Sequence, residues 1–419
     1  MSATDQMELE EQFFPTTAAQ WQRRLPWIRL LRGFRMAIGP RRMLLAFLAL
    51  CLWSAGDWLI NAGETDPAGR VIPTSTISFK DDLPSERKGI ARMFPTRGER
   101  PFTEIRIVEV PPYWLNFDLI SPLTRVLAPA KTLILSSQRF SSYLPLLLTF
   151  LLGAVISAVF GGAIARMTAV DFATQTDLSL RSSLLFSIRH WAASLGAPLI
   201  ALVGFAGCWL FNFCGGLLAN LPVLGEILVA VCWGLLILSG FAMAFILLVI
   251  GLGWPLMIAA VNAESGDAFD ALSRACSYLL NRPWYALFLA GLALLYGTVL
   301  LMFVTGMTQF TASMTTIPYA AGLLEGTGTS QTAASVRLFW ERLLFAVPAS
   351  FVFSYFWTMV TLIYFLLRQR EDATPLNEVW LPEPAAESKM PLAGIPAAEQ
   401  REIRLRQTPP DTDAPAEAP

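Results

Sequence analysis

A single histidine, His190, in 419 residues excludes any metal site or acid–base pair built from several imidazoles. No HExxH, GxSxG or GxxxxGK[ST] string occurs, so the chain offers no zinc-protease helix, no nucleophile elbow and no nucleotide-phosphate loop. Cysteine is scarce too. Cys51, Cys208, Cys214, Cys232 and Cys276 all fall in or beside apolar runs without a CxxC pair, which excludes a disulfide framework and a thiolate cluster. Charge is also thin, at 15% of residues with a formal net charge of -1, and gives no footprint for nucleic acid. No catalytic residue, metal or cofactor is implied. What the chain does have is 54% hydrophobic residues, gathered into apolar stretches of about 20 residues, the length that crosses a bilayer as a helix. More than forty mostly polar residues precede the first stretch, and no small-residue cleavage pattern flanks it, so it reads as a retained anchor.

Six spans are expected, at 43–62, 144–166, 193–219, 224–258, 284–306 and 343–367. Six crossings place both termini on one side. That side would carry Arg23, Arg24, Arg29, Arg32, Arg35, Arg41 and Arg42, the short loops with Arg166, Arg181, Arg189, Arg274 and Arg282, and then Arg368 and Arg370. The opposite connection 220–223 has no basic residue, and 307–342 has Arg337 and Arg342. The excess of arginine marks the first side as cytoplasmic. In 223–261, two short crossings broken at Gly251–Pro255 would invert everything downstream, so one long helix kinked near Pro255 is preferred.

The expected fold is therefore an all-α polytopic membrane protein. Its parts are a cytoplasmic segment 1–42 with an interfacial basic helix over Trp21–Met36, a first span, an extracytoplasmic insertion 63–143, a membrane domain 144–367 and a disordered cytoplasmic tail 368–419. Within the insertion, Ser75–Phe79 and Thr103–Val110 alternate as half-buried strands do, which predicts a small β-containing unit. Asp118–Ser136 has enough apolar residues to lie on the outer membrane surface.

The membrane domain repeats itself. Asp177-x3-Arg181-x7-Arg189-x-Trp191 returns as Asp270-x3-Arg274-x7-Arg282-x-Trp284, each copy between two apolar runs, with Gly162 answering to Gly253 and Asp171 to Asn262 upstream. Each unit reads as a descending span, a surface helix and an ascending span. Both enter from outside, so they are parallel helix-hairpin repeats about an axis along the membrane normal.

Asp177 with Arg181, and Asp270 with Arg274, stand four apart, one helical turn, and are expected to form ion pairs within each repeat. Two readings of the arginines stay open. Arg181, Arg189, Arg274 and Arg282 either anchor surface helices at the headgroups, with Trp191 and Trp284 in the aromatic belt, or converge to bind a lipid phosphate. Inside the spans, Asp57 and Glu226 lie toward outer ends as interfacial carboxylates, and Asn212 is deeper, a helix-to-helix hydrogen-bond donor. Gly161-Gly162 and Gly215-Gly216 suggest close helix approach.

The strings Gly161-Gly162-Ala163-Ile164-Ala165-Arg166, Trp254-Pro255-Leu256-Met257, Asp267-Ala268-Phe269-Asp270-Ala271-Leu272-Ser273-Arg274 and Arg282-Pro283-Trp284 resemble an uncharacterised family of bacterial multi-pass inner-membrane proteins over about residues 144–310. More loosely, the arrangement is similar to the membrane domain attached to some glycerophosphodiester phosphodiesterases, whose catalytic half has no counterpart here. The resemblance implies a bacterial inner-membrane location and a fold. It transfers no substrate and no catalytic residue. The expected function is a non-enzymatic structural or interaction module contacting the bilayer, its anionic headgroups and a membrane-protein partner, and the rival is a small-solute or lipid transporter on the parallel repeat.

Overall fold

In hydrocarbon a backbone must satisfy its own polar groups, and the apolar runs do so as helices. A computed structural model describes residues 26–61, 118–135, 140–221, 224–322, 331–376 and 378–380. Six helices there are long and apolar enough to cross a membrane: Pro40–Ile60, Tyr143–Thr174, Trp191–Ala219, Trp233–Glu264, Pro283–Tyr319 and Phe339–Glu371. The protein is an all-α, multi-pass membrane protein, with no strand among the described residues. The segments Ser75–Phe79 and Thr103–Val110, the start of the chain and the tail beyond residue 380 lie outside the described residues.

In chain order, a 3-10 turn at Pro26–Arg32 leads into α1 (Gly33–Ala37), α2 (Pro40–Asn61) and α3 (Ser121–Leu135). Next, α4 (Phe140–Ile156) passes through a π turn at Ser157–Gly161 into α5 (Gly162–Thr174), and α6 (Leu180–Arg189) leads to α7 (Trp191–Ala219). The chain then forms α8 (Leu224–Val231), α9 (Trp233–Glu264), α10 (Ala268–Asn281), α11 (Pro283–Ala321) and α12 (Gln331–Glu371). Pro40 and Pro283 each open a helix, where a missing N–H costs no hydrogen bond.

Helix α12 is the core of the bundle. Phe351, Phe353, Tyr355, Trp357, Tyr364 and Phe365 leave almost no face exposed, and 89% of its membrane window is buried. A helix apolar all round belongs inside other helices, and α2, α5, α9 and α11 surround this one. The α7 and α9 windows are only 17% and 11% buried. Their outer halves pair with each other and leave Leu210, Phe211, Leu238 and Phe241 exposed, an apolar surface suited to lipid contact.

Several sequence expectations change in detail. The helix through Pro255 is continuous from Trp233 to Glu264, a single crossing as preferred, and the interruption falls at Cys232 rather than at Gly251–Pro255. The connection expected over 307–342 is mostly helical, because α11 runs on to Ala321 and α12 starts at Gln331. Helix α3 packs against the bundle: Val126 is buried and lies beside Gly153 and Trp53, and Leu119 in the 3-10 turn before it is buried as well. The basic segment before α2 likewise docks on protein. Leu30 and Met36 are buried, Trp27 meets Phe288 edge-on, and Ser354 Oγ donates to Ala37 O at 2.7 Å.

Of the glycine pairs, Gly161 and Gly162 are the points of closest approach. A Cβ on Gly161 would stand 2.3 Å from Trp357 Cε2, and one on Gly162 would stand 2.4 Å from Ser187 Oγ. At the second pair, only Gly215 meets a neighbour, Leu236, and Gly216 faces open space.

Candidate functional site

The polar side chains gather at the arginine-bearing end, where α5 and α9 stop. Both stop the same way. Gln175 and Ser265 take left-handed conformations, φ 56° and φ 59°, and return their N–H groups to Asp171 O and Val261 O. The linkers that follow differ in length, and so does the place of the acidic residue after each helix end, and together these decide the ion pairs. Residues 175–179 precede α6, whereas only 265–267 precede α10.

In the shorter linker Asp270 falls inside the first turn of α10, and Arg274 Nε donates to Asp270 Oδ1 at 2.9 Å, as the spacing predicts. The corresponding expectation for the first repeat is corrected. Asp177 lies in the linker, outside α6, so its spacing to Arg181 is not a helical turn, and no ion pair joins the two among the described residues. Ser179 starts α6 instead, accepting the Ser182 N–H at 3.2 Å.

Arg274 has a second partner, Glu264 at the end of α9. Glu264 Oε1 also accepts from Tyr364 Oη at 2.5 Å and lies 3.2 Å from Arg368 Nη1, so one carboxylate joins α9, α10 and α12. Partial burial acts to lower the Arg274 pKa, but the Asp270 hydrogen bond and the charges of Glu264 and Asp270 raise it above its ordinary value. Tyr278 of α10 donates to Asp372 Oδ2 beyond α12, and burial followed by this carboxylate pushes its hydroxyl pKa up. Arg282 Nε donates to Glu371 Oε2 at 3.2 Å, and Asn281 Nδ2 to Glu371 Oε1 at 2.7 Å. The arginines of the second repeat are therefore spent on holding α10 to the end of α9, through Arg274, and its C-terminal end to α12, through Arg282.

The first repeat is tied down by other residues. Arg42 of α2 pairs with Asp171 at 2.6 Å and donates to Met36 O and Met167 O, and Arg41 donates to Leu178 O at 2.9 Å. Arg166, almost fully buried, donates to Asn262 O at 3.2 Å and Ala263 O at 3.4 Å and lies 4.2 Å from the Phe186 ring centroid. It thus caps the carbonyl end of α9, where a cation suits the helix dipole. His190 Nδ1 sits 2.9 Å from Phe186 O and Nε2 sits 3.0 Å from Ser265 Oγ, so the lone histidine ties the start of α7 to the end of α9.

Arg181 and Arg189 are exposed on α6, and no described carboxylate reaches either. The structure thus separates the expected four-arginine set into a bonded pair and an open pair. Trp191 is half-exposed and Trp284 is more exposed still, as headgroup-level tryptophans would be. Asp57 is buried near the far end of α2, and Glu226 is exposed in α8. Asn212 Nδ2 reaches Met243 Sδ at 3.6 Å, a contact between α7 and α9. Among the described residues no group of three His, Cys, Asp or Glu side chains could hold a metal ion.

Sequence reasoning did not pair Arg42 with Asp171, and it did not gather Glu264, Tyr278, Tyr364 and Arg368 into a polar cluster. A signal existed: Asp171 and Glu264 are acidic residues at the ends of apolar runs, on a side otherwise dominated by arginine. No family model matches the chain, and no curated protein or solved structure shows significant similarity to it.

Proposed function

We propose that this is a non-enzymatic bacterial inner-membrane module, both termini cytoplasmic, built on two parallel helix-hairpin repeats. Its first surface helix, α6, holds anionic lipid headgroups, while its second, α10, serves as a structural clamp. The observation that carries the reading is the exposure of Arg181 and Arg189 without a described carboxylate partner. Guanidinium groups left open at headgroup depth suit phosphate oxygens, at about 1 kcal/mol per basic residue near an anionic surface. Arg189 also sits in the last turn of α6, where a cation complements the helix dipole, so Arg181 is the cleaner probe.

The full-length protein, purified in mild detergent, should retain anionic phospholipid by native mass spectrometry. Arg181→Gln with Arg189→Gln should lower that retention about thirtyfold, the equivalent of ~1 kcal/mol for each of the two residues, and Arg337→Gln with Arg342→Gln should leave it unchanged. Equal lipid content in both double variants would refute the headgroup face. Substrate-dependent flux in proteoliposomes would instead establish the transporter.

A further inference from the structure

The junction of α4 and α5 is the one place among the described helices where the ladder shifts to π spacing. The Gly162 N–H returns to Ser157 O rather than to Ala158 O, and Ala158 O accepts from Ser187 Oγ at 2.9 Å instead. Such single π turns inside α-helices recur at functional sites. Around this one, four polar atoms are sealed from the surface and have no hydrogen-bond partner among the described residues: Ser157 Oγ, Trp254 Nε1, Trp357 Nε1 and Asn262 Oδ1. All four residues are at least nine-tenths buried.

Helix packing brings them to one region. Gly161, one turn after Ser157, lets the Trp357 indole lie against the backbone at the edge that carries Nε1, since its nearest approach is at Cε2. The next residue, Gly162, does the same for Asn262. Trp254, Ile258 and Asn262 follow one another along one face of α9, and Trp254, Ile258 and Trp357 share a packing cluster with Ala163 and Ile164 of α5. The Asn262 amide is oriented by its Nδ2, which donates to Ile258 O at 2.9 Å, so Oδ1 is the acceptor left over.

A buried polar group without a partner is costly, and four in one neighbourhood call for a common one. We propose that the π turn builds an internal site for a small group of ordered waters, bonded by Ser157, Trp254, Trp357 and Asn262, between α4–α5, α9 and α12. The chemistry selects the ligand class. Two indole N–H groups repel a cation, and a carboxamide oxygen repels an anion. A neutral molecule that both accepts and donates satisfies all four atoms, and water does so with its usual three or so bonds. The site does not depend on the lipid-binding reading of α6.

Brief hydroxyl-radical footprinting of the full-length protein in nanodiscs, with isotopically labelled water, tests this directly. Radicals made from internal water should mark Trp254 and Trp357 despite their burial. Met257, fully buried in the other packing cluster and the more reactive residue type, should stay unmarked. Ser157→Val, which replaces the hydroxyl by methyl groups, should cut the Trp357 signal at least fivefold. Unmarked tryptophans, marking of Met257 to the same extent, or an unchanged Trp357 signal in Ser157→Val would each overturn the proposal. Should the valine variant fail to fold, Ser157→Ala still decides: a hydroxyl bonded to water loses thermal stability on removal, whereas a dry, unpartnered hydroxyl gains it.

Discussion

The stretches around helices α6 and α10 carry the same spaced acidic, basic and aromatic residues, yet the arginines of one lie open and those of the other are bonded. Asp270 is inside its helix and pairs with Arg274, which also reaches Glu264, and Arg282 reaches Glu371. Asp177 is outside its helix, and Arg181 and Arg189 face outward. The cause is local: Asp177 is the third residue after α5 and falls within the 175–179 linker, whereas Asp270 is the sixth after α9 and falls beyond the 265–267 linker, inside α10. A sequence repeat therefore conserves where charges fall along the chain but not which partners they meet.

The sharpest way to break this comparison is at Glu264, whose carboxylate serves Arg274, Tyr364 and Arg368 together. Glu264→Gln leaves the nearly buried Arg368 without its ion-pair partner, and removing one member of a buried pair costs about 3 kcal/mol. Resistance to SDS in mixed micelles should fall by that amount, while Asp177→Asn should change it by less than about 0.5 kcal/mol. Equal losses in the two variants would mean that the repeats are equally committed.

A smaller effect is expected one residue outward. Arg274 is about a third exposed, so solvent screens its pairs, and Arg274→Gln should cost roughly 1 kcal/mol in the same titration. Arg181→Gln should cost almost none, since no described carboxylate depends on it. A stability loss at Arg181 matching that at Arg274 would show a hidden partner and remove the basis for a lipid face on α6.

Much of the fold was legible because membrane physics is one-dimensional at first order: the length and apolarity of each run, with arginines at one set of ends, fix the number of crossings. What was not legible depends on packing between distant segments. By length and apolarity the run 343–367 reads as an ordinary span, and its central place follows from neighbours packed on every side. Arg166 reads as a flank of the second span, yet its guanidinium is folded inward to cap a helix that begins 67 residues later in sequence, at Trp233. The candidate site was legible as residue types at a depth, but its division into bonded and open arginines was not, because it depends on where each acidic residue falls relative to the helix start. Glu264 and Arg368, more than a hundred residues apart, could not be paired from their local strings.

The finest test of the comparison is at the helix starts, where the two copies use different first residues. Ser179 has extended backbone at φ -71°, ψ 146°, and its Oγ accepts the Ser182 N–H, satisfying one of the orphan amides of α6. Asp267 holds the same position before α10 with φ -77°, ψ 166°, but its side chain makes no cap hydrogen bond. Ser179→Ala should therefore cost about 1 kcal/mol, the usual worth of a hydroxyl cap, and Asp267→Ala only a few tenths through the helix dipole. Amide hydrogen exchange in the first turn of each helix would resolve the difference, with protection falling about fivefold in α6 and little in α10. The result has a functional edge as well, because no described carboxylate clamps Arg181 or Arg189 of α6. If Ser179→Ala frays its first turn, Arg181 moves with it, and lipid retention should decline together with the exchange protection. Should retention hold while the turn frays, the headgroup contact would have to rest on Arg189, at the unperturbed end of the helix.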